Sequence, residues 1–112
     1  MPVKVVVVDD NIDVAEVIAT TLQFEGIDVD IVTSSFASLF EPTRWADVQV
    51  AIVDFYLGEI RGDTILHYLE EHAPHVRRVL LSAGYVERYG ADVVLGKPFR
   101  PETLVAACGG PA

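Results

Sequence analysis

The sequence predicts an α/β fold: a doubly wound, five-stranded parallel sheet in the order 2-1-3-4-5, with helices on both faces. Three observations lead to it. Apolar β-branched runs without polar alternation, above all Val5-Val6-Val7-Val8, mark strands buried on both faces. Segments with apolar residues at helical spacing separate these runs, which is the pattern of βαβ units. Polar groups gather where the runs end, for Asp9-Asp10, Asp54, Ser82 and Lys97 each follow an apolar stretch. The carboxyl ends of parallel strands are where open sheets bind their ligands.

Residues 3–8 form the first predicted strand. Asn11 or Asp13 is placed to cap a helix in which Val14, Val17, Ile18, Thr21, Leu22 and Glu25 recur at helical spacing, and Gly26 ends it. Residues 28–33 read as the second strand and 34–40 as a short helix that Pro42 stops. Residues 48–54 are the third strand. Asp63 is expected to cap a helix over 64–72, which buries Ile65, Leu66 and Leu69 and stops before Pro74. Residues 76–82 and 93–95 supply strands four and five. A last helix over 101–108 opens with Pro101 and stops at Gly109-Gly110.

At 112 residues the chain is expected to form one domain, residues 1–112. Its 51% hydrophobic content is that of a filled interior. A formal charge of −9 opposes electrostatic capture of nucleic acid, and no stretch is apolar for long enough to cross a bilayer. The N-terminus lacks a signal-peptide pattern, and the single cysteine, Cys108, excludes an internal disulfide and suits a reducing cytoplasm. A cytoplasmic protein without nucleic-acid or membrane partners is the expectation.

The acids carry the chemistry. Asp9, Asp10 and Asp54 brought to one sheet edge repel one another unless a cation sits among them. Mg²⁺ is the natural choice, since it takes carboxylate, carbonyl and water oxygens and serves phosphate chemistry. A helix N-terminus would account for one acid of the adjacent pair but not for the coincidence with Asp54. The histidines have a plainer reading: His67 and His72 do not share a helical face and His75 follows Pro74, so all three are placed at the surface or at helix ends. Cys108 reads as an apolar contact and Trp45 as a loop anchor over the second helix.

Taken together, Asp9-Asp10, Asp54, Ile60 and Gly62 after it, Ser82-Ala83 and Lys97-Pro98 resemble the receiver domain of two-component response regulators, the family of the bacterial chemotaxis regulator. The likeness covers nearly the whole chain, and Asp54 follows Asp10 by 44 residues, as the family requires. It implies a flavodoxin-like fold and a protein that accepts a phosphoryl group on Asp54 from a histidine kinase or phosphotransfer protein. By the same resemblance Mg²⁺ would be held by Asp10, Asp54 and the backbone carbonyl of Tyr56, with Asp9 acting largely through water. Lys97 and Ser82 would contact the phosphoryl oxygens, and the Lys97–Pro98 bond would be cis. The only catalysis implied is self-phosphorylation and self-dephosphorylation.

Three departures limit the likeness. Lys97 follows Ser82 by 15 residues, several fewer than usual, and Gly84 and Gly90 fall within the gap, so the fourth helix is expected to be absent or vestigial. Val94 occupies the place of the family's aromatic switch and has no ring to flip. Gly58 replaces the proline common after the phosphoacceptor. The usual output face is thereby put in doubt, and Tyr85, Tyr89 or Tyr56 is expected to supply a signalling surface. With no output domain after Ala112, the chain is expected to act through a downstream protein partner as a single-domain regulator, or to be the receiver of a hybrid histidine kinase. The alternatives are a receiver-like scaffold that works without phosphorylation and, more remotely, a small phosphohydrolase or flavin binder. The last two lack, respectively, an Asp-x-Asp after strand one and a Ser/Thr-rich phosphate loop.

Overall fold

The computed structural model describes residues 3–84 and 87–109. Five strands, β1 (Lys4–Val8), β2 (Asp28–Val32), β3 (Val50–Asp54), β4 (Arg77–Ser82) and β5 (Val93–Gly96), form one sheet in the order β2-β1-β3-β4-β5. Every pairing is parallel, with Val8 opposite Val53 and Asp54 opposite Leu81. The order and the direction are those expected. Alternation along the strands divides the core in two. Val6, Val8, Ala51, Val53 and Leu80 face α2 (Gly62–His72), while Val5, Val7, Ile52, Val79 and Leu81 face α1 (Ile12–Gln23) and α3 (Pro101–Ala107).

Local chemistry explains most boundaries. Asn11, rather than Asp13, caps α1: its side chain accepts from the N–H groups of Asp13 and Val14. The helix stops before Gly26, whose φ of 77° is left-handed. Val48 and Val76, expected to lie in strands, instead donate their N–H groups back to Trp45 and Ala73 in turns, so β3 and β4 begin later. Val17 keeps the helical spacing but points outward, 64% exposed.

Two expectations are corrected. Residues 34–40 do not form an α-helix; two 3-10 helices, Phe36–Phe40 and Pro42–Trp45, take their place. The reason is the spacing of the apolar residues: only Phe36 and Leu39 are buried in the first, three apart, and a 3-10 turn aligns such a pair. Trp45 is fully buried and its Nε1 donates to the Leu39 carbonyl at 2.8 Å, which locks the two turns together. Nor does Asp63 cap α2. The helix begins at Gly62 with Arg61 at the cap position, and Asp63 lies inside the first turn, where its carboxylate accepts from Arg61 Nε (3.1 Å) and Nη2 (2.8 Å).

Among the described residues no helix lies between β4 and β5, as the short spacing predicted. Tyr89 and Ala91 cover that side of the sheet instead, packing with Leu80 and the α2 residues. Tyr85 lies outside the described residues. No helix of the described chain is long and apolar enough to cross a membrane.

Candidate functional site

β1 and β3 lie side by side and end together, so the acids that follow them must meet. One carboxylate oxygen from each of Asp9, Asp10 and Asp54 lies within 4.8 Å of the others. An octahedral Mg²⁺ with ligands about 2.1 Å away spaces its ligand atoms roughly 3 to 4 Å apart, so the cluster has a suitable span. The three acids differ in setting. Asp9 is fully buried, Asp54 nearly so, and Asp10 is exposed. Asp9 Oδ1 accepts from the Asn11 N–H at 2.9 Å, but Asp9 Oδ2 is buried with no hydrogen-bond partner. A buried carboxylate oxygen without a hydrogen bond is costly, and a metal ion at the cluster would satisfy it.

Among the described residues Lys97 is the one cation in contact with these acids. Its Nζ lies 3.2 Å from Asp54 Oδ1 and 3.7 Å from Asp9 Oδ2, so it bridges β1 and β3 from the far side of β4. The Lys97 N–H donates to the Ser82 carbonyl at 2.7 Å, and the Lys97–Pro98 peptide is cis as expected. Three carboxylates against one ammonium leave the cluster short of positive charge. Burial raises the Asp54 carboxyl above its ordinary value; the charge of Asp9 adds to the rise, and Lys97 opposes it.

The loop after Asp54 is built around two glycines. Gly58, at φ 81°, carries the chain beside Asp10, where a Cβ would lie 3.8 Å from Oδ2. Gly62 sits so close to β3 that a Cβ would overlap the Asp54 carbonyl oxygen, and its N–H donates to Phe55 O at 2.7 Å. Tyr56 follows in this loop, bridged to Arg61, with its side chain 65% exposed. A hollow of about 340 Å³ lined by Asp10, Thr33, Ser34, Gly58 and Glu59 opens next to Asp10.

Ser82 ends β4 one position beyond the partner of Asp54 and is buried. Its hydroxyl donates to the Gly84 carbonyl at 2.8 Å, so it is not bonded to any of the three acids. The histidines stay out of the site: His67 is exposed, His72 stands beside Glu71, and His75 Nε2 bonds the Trp45 carbonyl at 2.9 Å. Cys108 is buried, which pushes its thiol up to about 11.

Sequence reasoning missed the group that braces the loop. Arg61 pairs with Asp63 and lies 5.6 Å from the centre of the Phe55 ring, which in turn meets the rings of Tyr56 and Tyr89. The run of Arg61, Gly62 and Asp63 carries no periodic signal, and the contact of Phe55 with Tyr89 joins residues far apart in the chain.

With the geometry in view, comparisons with known proteins give a consistent result. The family model for the response regulator receiver domain matches residues 5–108. Response regulator SaeR of Staphylococcus aureus is 26% identical over 106 residues, covering 88% of this chain and 46% of SaeR. The chain therefore spans just under half the length of the curated relatives it matches. A receiver domain protein from Clostridium thermocellum superposes with a TM-score of 0.84 at 25% identity, covering 96% of this chain and 91% of that one. A response regulator from Burkholderia pseudomallei, solved with a phosphorylated aspartic acid, calcium ion and citrate, gives 0.81 at 25% identity, covering 95% and 66%.

Proposed function

The chain belongs to the response regulator receiver domain family of two-component signalling, and from that membership we propose that it takes a phosphoryl group onto Asp54 from a histidine kinase or phosphotransfer protein. The observation that carries this reading is the convergence of Asp9, Asp10 and Asp54 around an orphaned carboxylate oxygen, with Lys97 against Asp54. A carboxylate oxygen of Asp54 attacks phosphorus, the bond from phosphorus to the donor's imidazole nitrogen breaks, and that nitrogen keeps the electron pair. The product is an aspartyl phosphate, which water later splits to phosphate and the free carboxylate.

The site's own residues answer the difficulty of this step, the approach of one anion to another. Lys97 already touches Asp54, so its ammonium is placed to follow the charge onto the phosphoryl oxygens. Ser82 turns its hydroxyl from Gly84 to one of those oxygens. Asp10 and Asp54 with the Tyr56 carbonyl would hold Mg²⁺, and Asp9 would support it largely through water; when bound, the ion supplies the positive charge that the cluster lacks. The relative from Burkholderia pseudomallei carries a phosphorylated aspartic acid and a calcium ion, in keeping with this assignment. The setting would be the cytoplasm, and the output a contact with a downstream protein, whether the receiver acts alone or within a hybrid kinase.

A scaffold that signals without phosphorylation is the second reading, favoured by the ringless Val94 and by the lack of a helix between β4 and β5 among the described residues. Incubation with acetyl phosphate and Mg²⁺ followed by intact-mass measurement separates the two. The protein should gain one phosphoryl group and the Asp54→Asn variant none; an unmodified wild type would favour the scaffold.

A further inference from the structure

The following inference rests on the Mg²⁺-dependent phosphoacceptor reading and concerns the loop that carries one of the assigned ligands, the Tyr56 carbonyl. Residues 55–62 reverse the chain between β3 and α2 as a short hairpin. Two hydrogen bonds close it: the Gly62 N–H donates to Phe55 O at 2.7 Å, and the Leu57 N–H donates to Ile60 O at 3.2 Å. Tyr56 and Arg61 face one another between these bonds as an antiparallel pair that exchanges none of its own. In such a pair the carbonyl and N–H of each residue point out of the hairpin. The Tyr56 carbonyl is therefore turned away from Arg61, and among the described residues no backbone N–H donates to it.

The base of the hairpin is anchored to the sheet, since the Phe55 N–H donates to Leu81 O at 2.9 Å and Gly62 is pressed against the Asp54 carbonyl. Two hydrogen bonds do not fix the rest, because a two-stranded ribbon is marginal by itself. Side chains must set its orientation, and one of them spans it. The Arg61 guanidinium holds Asp63 in the first turn of α2 by two bonds, from Nε at 3.1 Å and from Nη2 at 2.8 Å. It also lies 5.6 Å from the centre of the Phe55 ring. Asp63 and Phe55 are themselves buried, 5% and 4% exposed, so both anchors are fixed by their surroundings. A planar guanidinium can pair in a fork and lie against a ring, which the point charge of lysine does not reproduce. Arg61 thus joins the end of β3 to the start of α2 across the hairpin, although its own side chain is 62% exposed.

We propose that Arg61 is a positioning residue for the metal site: it holds the hairpin so that the Tyr56 carbonyl is in place before a cation arrives. The carboxylates of Asp10 and Asp54 come from the ends of β1 and β3 and do not depend on it. The consequence is a matter of ion selectivity. Mg²⁺ demands near-ideal octahedral geometry, whereas Ca²⁺ accepts a flexible set of ligands. A loosened carbonyl therefore costs Mg²⁺ more than Ca²⁺. A residue that only stabilised the fold would leave the ratio of the two affinities unchanged.

The test is a titration of the full, metal-free chain with Mg²⁺ and separately with Ca²⁺, followed by backbone amide shifts at a temperature where each protein is folded. Groups that bond a metal ligand directly typically change affinity by roughly 10–100-fold when removed; Arg61 acts through the backbone, so Arg61→Met should weaken Mg²⁺ by less, about three- to tenfold. Ca²⁺ should weaken so much less that the ratio of Mg²⁺ to Ca²⁺ affinity falls at least about threefold. A smaller fall in that ratio, including equal weakening of both ions, overturns the proposal. Should Arg61→Met not fold, the double variant Arg61→Met with Asp63→Asn, which leaves no buried charge unpaired, carries the same comparison. A wild type that binds no Mg²⁺ sinks the metal site together with this inference. A wild type that binds Mg²⁺ beside an Arg61→Met protein of unchanged ratio sinks the inference alone.

Discussion

Replacing Gly62 with alanine should loosen the end of β3 by more than the added helix propensity can offset. A Cβ there would overlap the Asp54 carbonyl oxygen and come within 3.0 Å of both Asp54 C and Val53 Cγ1. Neither side can retreat easily. All five residues of β3 are buried, and the Gly62 N–H is tied to Phe55 O at 2.7 Å. Forcing a methyl group into a packed contact costs about 1–3 kcal/mol. Alanine recovers at most about 1 kcal/mol over glycine in a helix interior, and less at the first helical position. The net loss is about 1–2 kcal/mol, which for a domain of this size lowers Tm by about 5–10 °C. The same shift displaces the Asp54 backbone, so phosphorylation by acetyl phosphate should slow as well. Thermal unfolding by circular dichroism and an intact-mass time course measure the two effects. A Gly62→Ala protein that melts at or above the wild-type temperature and phosphorylates at the wild-type rate refutes the reasoning.

Three further outcomes follow from the site. Lys97→Met removes the ammonium 3.2 Å from Asp54 and should slow phosphorylation on the order of 10²–10³-fold, read from the same time course; a change of less than threefold would remove Lys97 from the chemistry. Burial, then the charge of Asp9, raises the Asp54 carboxyl above 3.8, so between the unfolded and folded values the native state binds more protons and stability falls as pH rises. Asp54→Asn has no charge to lose, so in metal-free buffer it should melt above wild type at neutral pH, with the gap closing as pH drops toward 3.8; melting below wild type throughout would contradict this. Magnesium at a hundred times its dissociation constant should stabilise the wild type by about 2.7 kcal/mol. Asp9→Asn, which alters the orphaned oxygen, should require more magnesium for the same rise in Tm, and an unchanged titration would argue against Asp9 in the metal site.

The sheet was legible because its signal is local. Unalternating valines around Val7 and helical spacing around Ile18 each report the two environments a segment will face, whatever lies elsewhere in the chain. That no helix lies between β4 and β5 among the described residues was legible for a similar reason, since too few residues separate Ser82 from Lys97. The errors fell where several local signals competed. Pro42 and the three-residue spacing of Phe36 and Leu39 favoured 3-10 turns over an α-helix, and Asp63 found a better partner in Arg61 than in the helix end.

By itself the sequence determined which chemical groups stand at strand ends, because a strand's end is a matter of composition and its order a matter of connection length and handedness. Tertiary structure alone decided how those groups differ. It buried Asp9 and left Asp10 in solvent, set Lys97 between Asp9 and Asp54, pressed Gly62 onto the Asp54 carbonyl, and laid Tyr89 on Phe55. These are contacts between residues distant along the chain, and their distances are fixed by how whole elements pack, which no local pattern records.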